Sequence, residues 1–368
     1  MRLAIVCREA RGFGGTTRIL VENARHFVSR GWRVDVLAAR FERERFEGTG
    51  ARLRRVPTPP WGSRLKRSWF AAAADRLGRA YDLVHGHGDN LEQDVLSLHN
   101  CVHAAYEAVH GVELPDTDAV GRLHAMQLRQ RRFKLLICNS ALMAEELRRR
   151  FAVPGERLRV IHPGYDPERF RAEDRGRLRE QARAELSLGR DELVVGLITS
   201  GDFEKRGLPY FLRAVAELKR KGLSFKALVV GKEKRMGPYL ALASQLGLAE
   251  TVLFREPRLE VERFYHCLDV YCHPALYEEF GMSVQEAMAC GLPVVCGRRV
   301  GAAELFGPGM RRLLADPRQP ELAARLHEAL SSKELRASLA QEASAAVAGG
   351  AWRANGEATA EALLAAKR

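Results

Sequence analysis

The sequence predicts an α/β protein built from two Rossmann-like domains with parallel sheets, and three observations predict it. The chain has 368 residues, beyond the roughly 250–300 at which one hydrophobic core stops growing. Short apolar runs alternate with amphipathic helical stretches in two successive series, the pattern of parallel strands joined by crossover helices. Between the series, VIHPGYDPERF breaks the alternation with Pro163, Gly164 and Pro167.

In the first series, MRLAIV reads as a buried strand. GFGGTTRILVENARHFVSRG reads as a glycine loop and then an amphipathic helix closed by Gly31. WRVDVLAA is the next strand, and YDLVHGHG, DVLSLHN and LLICNS read as further strand ends. SALMAEELRRRF is a helix with Ser140 as N-cap. In the second series LVVGLITS, KALVVG, TVLFRE and DVYCHP are strands, alternating with the helices GLPYFLRAVAELKRKG, YLALASQLG and EVERFYHCL. The predicted domains are 1–165 and 172–350, with a lone final helix, 351–368, packing back on the first. Ligands of such sheets sit beyond the carboxyl ends of the strands, so a cleft between the two domains is the expected binding place.

Composition is 46% hydrophobic and 29% charged, which suits a soluble globular enzyme. No run approaches the 20 or so apolar residues of a membrane span. No basic stretch followed by a long apolar core opens the chain, so no export signal is expected. Seven cysteines, mostly in apolar runs and without a CxxC, point to reduced thiols in a cytoplasmic protein. The unusual total is a net charge of +13, of which about +9 falls before residue 176. A basic half suggests an anionic partner: nucleic acid, a lipid surface or a phosphorylated substrate.

Three loops carry the candidate chemistry. Gly14 and Gly15, after the first strand and before a helix, suit either an anion or sugar at a helix N-terminus or a plain tight turn. In GDFEKRG, Lys205 and Arg206 follow a strand end. A point charge beside a planar fork suits a diphosphate, and cations there gain nothing from the following helix dipole. In YEEFGMSVQEAMACG, Glu278 and Glu286 lie eight residues apart. Ser283 and Glu286 match a capping box, S-x-x-E, which gives Glu286 a purely structural alternative. The functional alternative is that the carboxylates accept hydrogen bonds from vicinal hydroxyls, while the backbone N–H groups of Phe280, Gly281 and Met282 meet a phosphate.

At these residues the chain resembles the retaining glycosyltransferases of family 4, which have the GT-B fold. YEEFGMSVQEAMACGLPVV is similar to their E-x7-E signature, GDFEKRG to their diphosphate loop and VIHPGYDPERF to their interdomain segment. The FGG, SGDFEKRG and HPALYEEFG stretches are most similar to lipopolysaccharide core glucosyltransferases, which use UDP-glucose. The resemblance implies that Gly14 and Gly15 approach the donor, that Lys205 and Arg206 clamp its diphosphate, that Glu278 holds sugar hydroxyls and that Glu286 holds the ribose. It implies transfer of a hexose from a UDP-sugar to a hydroxyl of a cell-envelope glycan or glycolipid, with configuration kept. The alternatives are a GDP-mannose-dependent mannosyltransferase, or an epimerase or phosphorylase of the same fold. The Lys-then-Arg order reverses the family's usual one. In LFREPRLE the usual glycine after the phenylalanine is missing, so Arg258 is a candidate for base or phosphate contact. The family's histidine near the sugar falls on His99, in SLHNC, with Asn100 as a second candidate and a buried structural imidazole as the plain reading.

No cofactor or metal is expected, because Lys205 and Arg206 supply the positive charge. His85 and His87 form an HxH without a third ligand of convincing spacing, and Asp116 and Asp118 read as a helix start. Two basic stretches with aromatics suit an anionic membrane: Trp61, Trp69 and Phe70 among Arg64, Lys66 and Arg67, and Phe133 among Arg129, Arg131, Arg132 and Lys134. The expected location is the inner face of the plasma membrane. No nucleic-acid motif accompanies the charge.

Overall fold

The structure, a computed structural model, describes residues 1–12, 14–60 and 62–367, without the side chains of Ser63 and Arg64. Phe13 of the glycine loop, Trp61 of the first basic stretch and the terminal Arg368 lie outside the described residues. The chain divides into two compact units, one of residues 1–164 with 350–368 and one of residues 165–349.

The first unit holds a seven-stranded sheet. Its strands are β1 Arg2–Val6, β2 Arg33–Ala38, β3 Arg52–Arg55, β4 Leu83–Gly86, β5 Val95–Leu98, β6 Leu135–Cys138 and β7 Leu158–Val160. They are ordered β3-β2-β1-β4-β5-β6-β7, and every neighbouring pair is parallel. Alternate residues of β1 serve opposite faces, as the two-residue period of a strand requires. Leu3 and Ile5 pack with Leu20, Ala24 and Phe27 of helix α1, Gly15–Ser29. Ala4 and Val6 pack with Phe70 and Ala74 of helix α2, Ser63–Gly78. Both faces are therefore covered, as parallel sheets demand.

The second unit repeats the plan with β8 Val194–Ile198, β9 Lys226–Val230, β10 Val252–Arg255, β11 Val270–His273, β12 Val294–Gly297 and β13 Leu314–Ala315, ordered β10-β9-β8-β11-β12-β13. In both sheets the order reverses beside the first strand, at β1/β4 and at β8/β11. Such a switch point opens a crevice at the carboxyl ends. The terminal helix Trp352–Lys367 belongs to the first unit. Gly164 lies against Trp352, Asn355 Nδ2 donates to the His162 carbonyl at 2.7 Å, and Ala360 and Leu363 join the core with α1.

Three strands had no strong sequence signal: RLRR at β3, LRV at β7 and the short β13. All are sheet edges; exposed positions break the apolar run in β3 and β7, and β13 is two residues long. The basic stretches also need correction. Phe70 and Phe133 are core residues, not interfacial aromatics. In the second stretch Arg131 donates to the Phe151 and Ala152 carbonyls, Arg132 pairs with Glu92, and Lys134 pairs with Asp94 and the Ala366 carbonyl. Those cations serve the fold. Asp118 does start a helix, its carboxylate accepting from the Val120 and Gly121 amides at 3.0 and 2.7 Å.

Candidate active site

The carboxyl end of β8 runs into the GDFEKRG loop. Gly201 and Asp202 both have positive φ, 143° and 56°, a rare pairing that turns the chain sharply. Gly207 then caps the helix Leu208–Arg220 with φ 75°. A Cβ on Gly207 would sit 1.8 Å from the Pro274 carbonyl oxygen, so only glycine lets this loop lie against the chain leaving β11. The Leu276 amide donates to the Lys205 carbonyl at 3.0 Å and fastens the two loops together.

That contact delivers both cations to the E-x7-E loop. Lys205 Nζ lies 2.9 Å from Glu279 Oε2, with side chains 12% and 3% exposed. Arg206 pairs with Glu278, and its Nε makes a long 3.4 Å contact to Thr199 Oγ1. Burial pushes the Arg206 guanidinium below its usual pKa, opposed by Glu279 and Asp202. Behind the pairs sits His273, wholly buried, its Nε2 3.9 Å from Glu278 Oε2. Burial first, then the Arg206 and Lys205 charges, push its pKa down to about 3. It is therefore a neutral imidazole beside two ion pairs.

Glu286 is not a capping residue. The helix Met282–Ala289 is capped by Gly281, at φ 96°, with no side-chain cap bond. Ser283 lies inside the first turn, and its Oγ pairs with Tyr271 Oη at 2.9 Å. Glu286 is buried and accepts the Tyr265 hydroxyl at 3.0 Å. Phe280 is also buried, its carbonyl accepting the Ala302 amide at 2.6 Å.

The structure thus brings Lys205, Arg206, Glu278, Phe280, Gly281 and Met282 to one edge of the second unit. Glu286 stands one helical turn on. Arg258 does not join them: its Nη1 pairs with Glu185 at 2.8 Å and its guanidinium lies 4.4 Å over the Phe264 ring. Glu279 and His273 are the residues that sequence reasoning missed. Glu279 had a signal, being the second of two adjacent acids opposite two adjacent cations.

In the first unit, Gly14 caps α1 with φ −65° and nothing within 4 Å of a built Cβ. Neither backbone conformation nor packing requires glycine there. Gly15 is the first residue of that helix. His99, just past β5, pairs through Nε2 with His87 Nδ1 at 2.8 Å, and His85 Nε2 pairs with Ser97 Oγ at 2.7 Å. Among the described residues no group of three or more His, Cys, Asp or Glu is arranged to hold a metal ion. At the switch point beyond β1 and β4, Arg8 and Arg67 share Asp89, at 3.9 and 3.4 Å.

Comparison with known proteins fits this geometry. Residues 13–169 match the profile described as Glycosyltransferase Family 4, and residues 179–346 match Glycosyl transferases group 1. A D-inositol 3-phosphate glycosyltransferase of Corynebacterium jeikeium is 30% identical over 302 residues, covering 76% of this chain and 71% of that one. The chain belongs to glycosyltransferase family 4. A D-inositol 3-phosphate glycosyltransferase of Catenulispora acidiphila is 28% identical over 354 residues, covering 86% and 82%. Among solved structures, this glycosyltransferase superposes on WaaG, a glycosyltransferase involved in lipopolysaccharide biosynthesis, with a TM-score of 0.81 at 22% identity over 98% of this chain and 99% of that one. It superposes on HepE from Anabaena, solved with UDP and glucose, with a TM-score of 0.78 at 21% identity over 99% and 100%. Its two parallel-sheet units are those of the GT-B fold.

Proposed function

We propose that this glycosyltransferase moves a hexose, glucose first among candidates, from a UDP-sugar to a hydroxyl of a cell-envelope glycan or glycolipid, with retention and without a metal. The observation that carries this reading is the paired ionic cluster at the β8/β11 switch point. Two half-buried cations whose charges are met by two carboxylates can exchange those partners for a diphosphate of similar charge. Lys205 and Arg206 then face the diphosphate and stabilise charge on the departing UDP. Glu278, released from Arg206, accepts sugar hydroxyls, and Glu286 accepts the ribose hydroxyls. Phe280, Gly281 and Met282 bring backbone amides to the phosphates, while Arg258 reaches the base only by leaving Glu185. Gly14, Gly15 and His99 are the candidate ligand contacts of the first unit. In the reaction the bond from the anomeric carbon to the phosphate oxygen breaks and a bond to the acceptor oxygen forms on the same face. The departing phosphate takes the acceptor proton.

Support for the donor comes from HepE, which is solved with UDP-glucose. A second acceptor reading, an inositol phosphate, is favoured by what the relatives are called and by the two arginines sharing one Asp89. For a membrane surface the support is Leu65 and Trp69, 60% and 59% exposed at i, i+4 on α2. No helix among the described residues is long and apolar enough to cross a membrane.

The test is thermal stabilisation by UDP, GDP, ADP and their sugars without metal, on wild type and Glu286→Ala, followed by product analysis with glycolipid and inositol phosphate acceptors. Stabilisation by UDP that Glu286→Ala removes is expected. Stabilisation by GDP alone would replace the donor, and no shift with any nucleotide would sink the reading.

A further inference from the structure

A second basic site lies at the other end of the same sheet. Leu193, Asp269 and Pro293, which immediately precede β8, β11 and β12, line a cleft of about 760 Å³. Because the sheet is parallel, this is the amino-terminal edge, opposite the loops that carry Lys205 and Glu278. Six cations line the cleft, Arg175, Arg179, Arg183, Arg190, Lys333 and Arg336, against three carboxylates. The first three recur every fourth residue on the helix Arg175–Glu185 and so share one face.

Their roles differ. Arg183 is a structural clamp: it donates to the carbonyls of Cys267, Gly189, Arg190 and Glu192 and pairs with Asp269 at 2.8 Å. Arg179 pairs with the same carboxylate at 2.6 Å. Arg175 reaches it only at 3.8 Å, and its buried Nη1 has no hydrogen-bond partner among the described residues. One carboxylate therefore serves three guanidiniums. Burial, then the Arg179 charge, push Arg175 down to about 10, which still leaves it a cation at neutral pH. A buried donor without a partner costs about 1–3 kcal/mol, and a guanidinium whose donors are not all engaged suits an oxyanion.

We propose that this cleft binds a small polyvalent phosphate anion, with Arg175 as its half-buried contact and Arg190 and Lys333 as exposed ones. The cleft is wider than one phosphate, and its charges are spread over two helices and a loop, which favours a chain of phosphates over a single one. Gly291, in the cleft wall, follows the helix Met282–Ala289 that carries Glu286, so an anion here sits at the far end of an active-site helix.

The experiment is calorimetric titration of the full chain with inorganic tripolyphosphate and with orthophosphate. Wild type, Arg175→Gln, the double variant Arg190→Glu/Lys333→Glu and Arg206→Ala are compared. Arg175 Nη2 also donates to the Leu268 carbonyl, so the double variant tests the cleft through exposed side chains if Arg175→Gln fails to fold. Expected are tripolyphosphate binding about tenfold tighter than orthophosphate, weakened about tenfold or more by either cleft variant and retained by Arg206→Ala. Three results overturn the proposal: no binding to folded wild type, binding unchanged in the cleft variants, or binding lost only in Arg206→Ala. The last would place the anion at the GDFEKRG loop.

Discussion

Lys205 and Glu279 form a nearly dry ion pair, and dry pairs respond asymmetrically to mutation. Removing one partner strands the other, at a cost of about 3–5 kcal/mol, whereas replacing both with apolar residues can be neutral. Lys205→Met is therefore expected to lower stability in urea by an amount in that range, and Lys205→Met/Glu279→Leu to restore most of it. Both variants lose nucleotide-dependent stabilisation. A single variant as stable as wild type would show that water reaches the pair. The cation loop and the two spaced acids were legible because charges at strand ends stand out against apolar runs. Which acid meets which cation was not, and Glu279 went unassigned. Glu286 is the reverse case, where spacing offered a structural alternative that the fold does not use. Its spacing from Ser283 fits a capping box, yet Gly281 takes the cap and turns Glu286 onto Tyr265.

The β8 loop and the β11 loop function as one unit because Gly207 allows backbone to touch backbone. Gly207→Ala puts a methyl into the Pro274 carbonyl and holds an L residue at φ 75°. Gly222 offers a control: its φ is 84°, but nothing lies within 4 Å of its Cβ. Gly222→Ala is expected to cost about 1 kcal/mol, the backbone term alone. Gly207→Ala is expected to cost more than twice that and to abolish the nucleotide shift. Equal melting temperatures for the two variants would mean that the loops part easily. The sequence marks Gly207 only as a residue before a helix. Its close contact arises because β11, distant in sequence, is the neighbour of β8.

Five buried histidines make the whole molecule sensitive to acid, and one of them, His87, is pushed well below its ordinary value by burial and then by the His85 and His99 charges. Burial pushes His85 and His273 to about 3 and His124 and His266 to about 4. Each folded pKa lies below the unfolded value near 6.5. Above pH 6.5 both states are neutral at these groups, so the full stability is present. As pH falls below 6.5 the unfolded state binds protons that the folded state refuses, and stability drops by up to about 1.4 kcal/mol per pH unit per group. Asp89, raised by burial, works the other way at lower pH. Three of these histidines lie in the first unit and two in the second, so both units are expected to weaken together between pH 6.5 and 4. Urea midpoints across that range check this, and a flat profile from 6.5 to 5 would refute it.

The sequence by itself determined the two α/β series, the break between them, most strands and the family, because apolar period and short motifs are local properties. It placed Lys205, Arg206 and Glu278 in loops at strand ends for the same reason. The tertiary structure alone decided the edge strands, the core positions of Phe70 and Phe133, the pairing of Lys205 with Glu279, and the three arginines gathered on Asp269. Each of these depends on which strands become neighbours. A parallel sheet makes neighbours of strands far apart in the chain, and only the folded order β8-β11 brings their loops within 3 Å of one another.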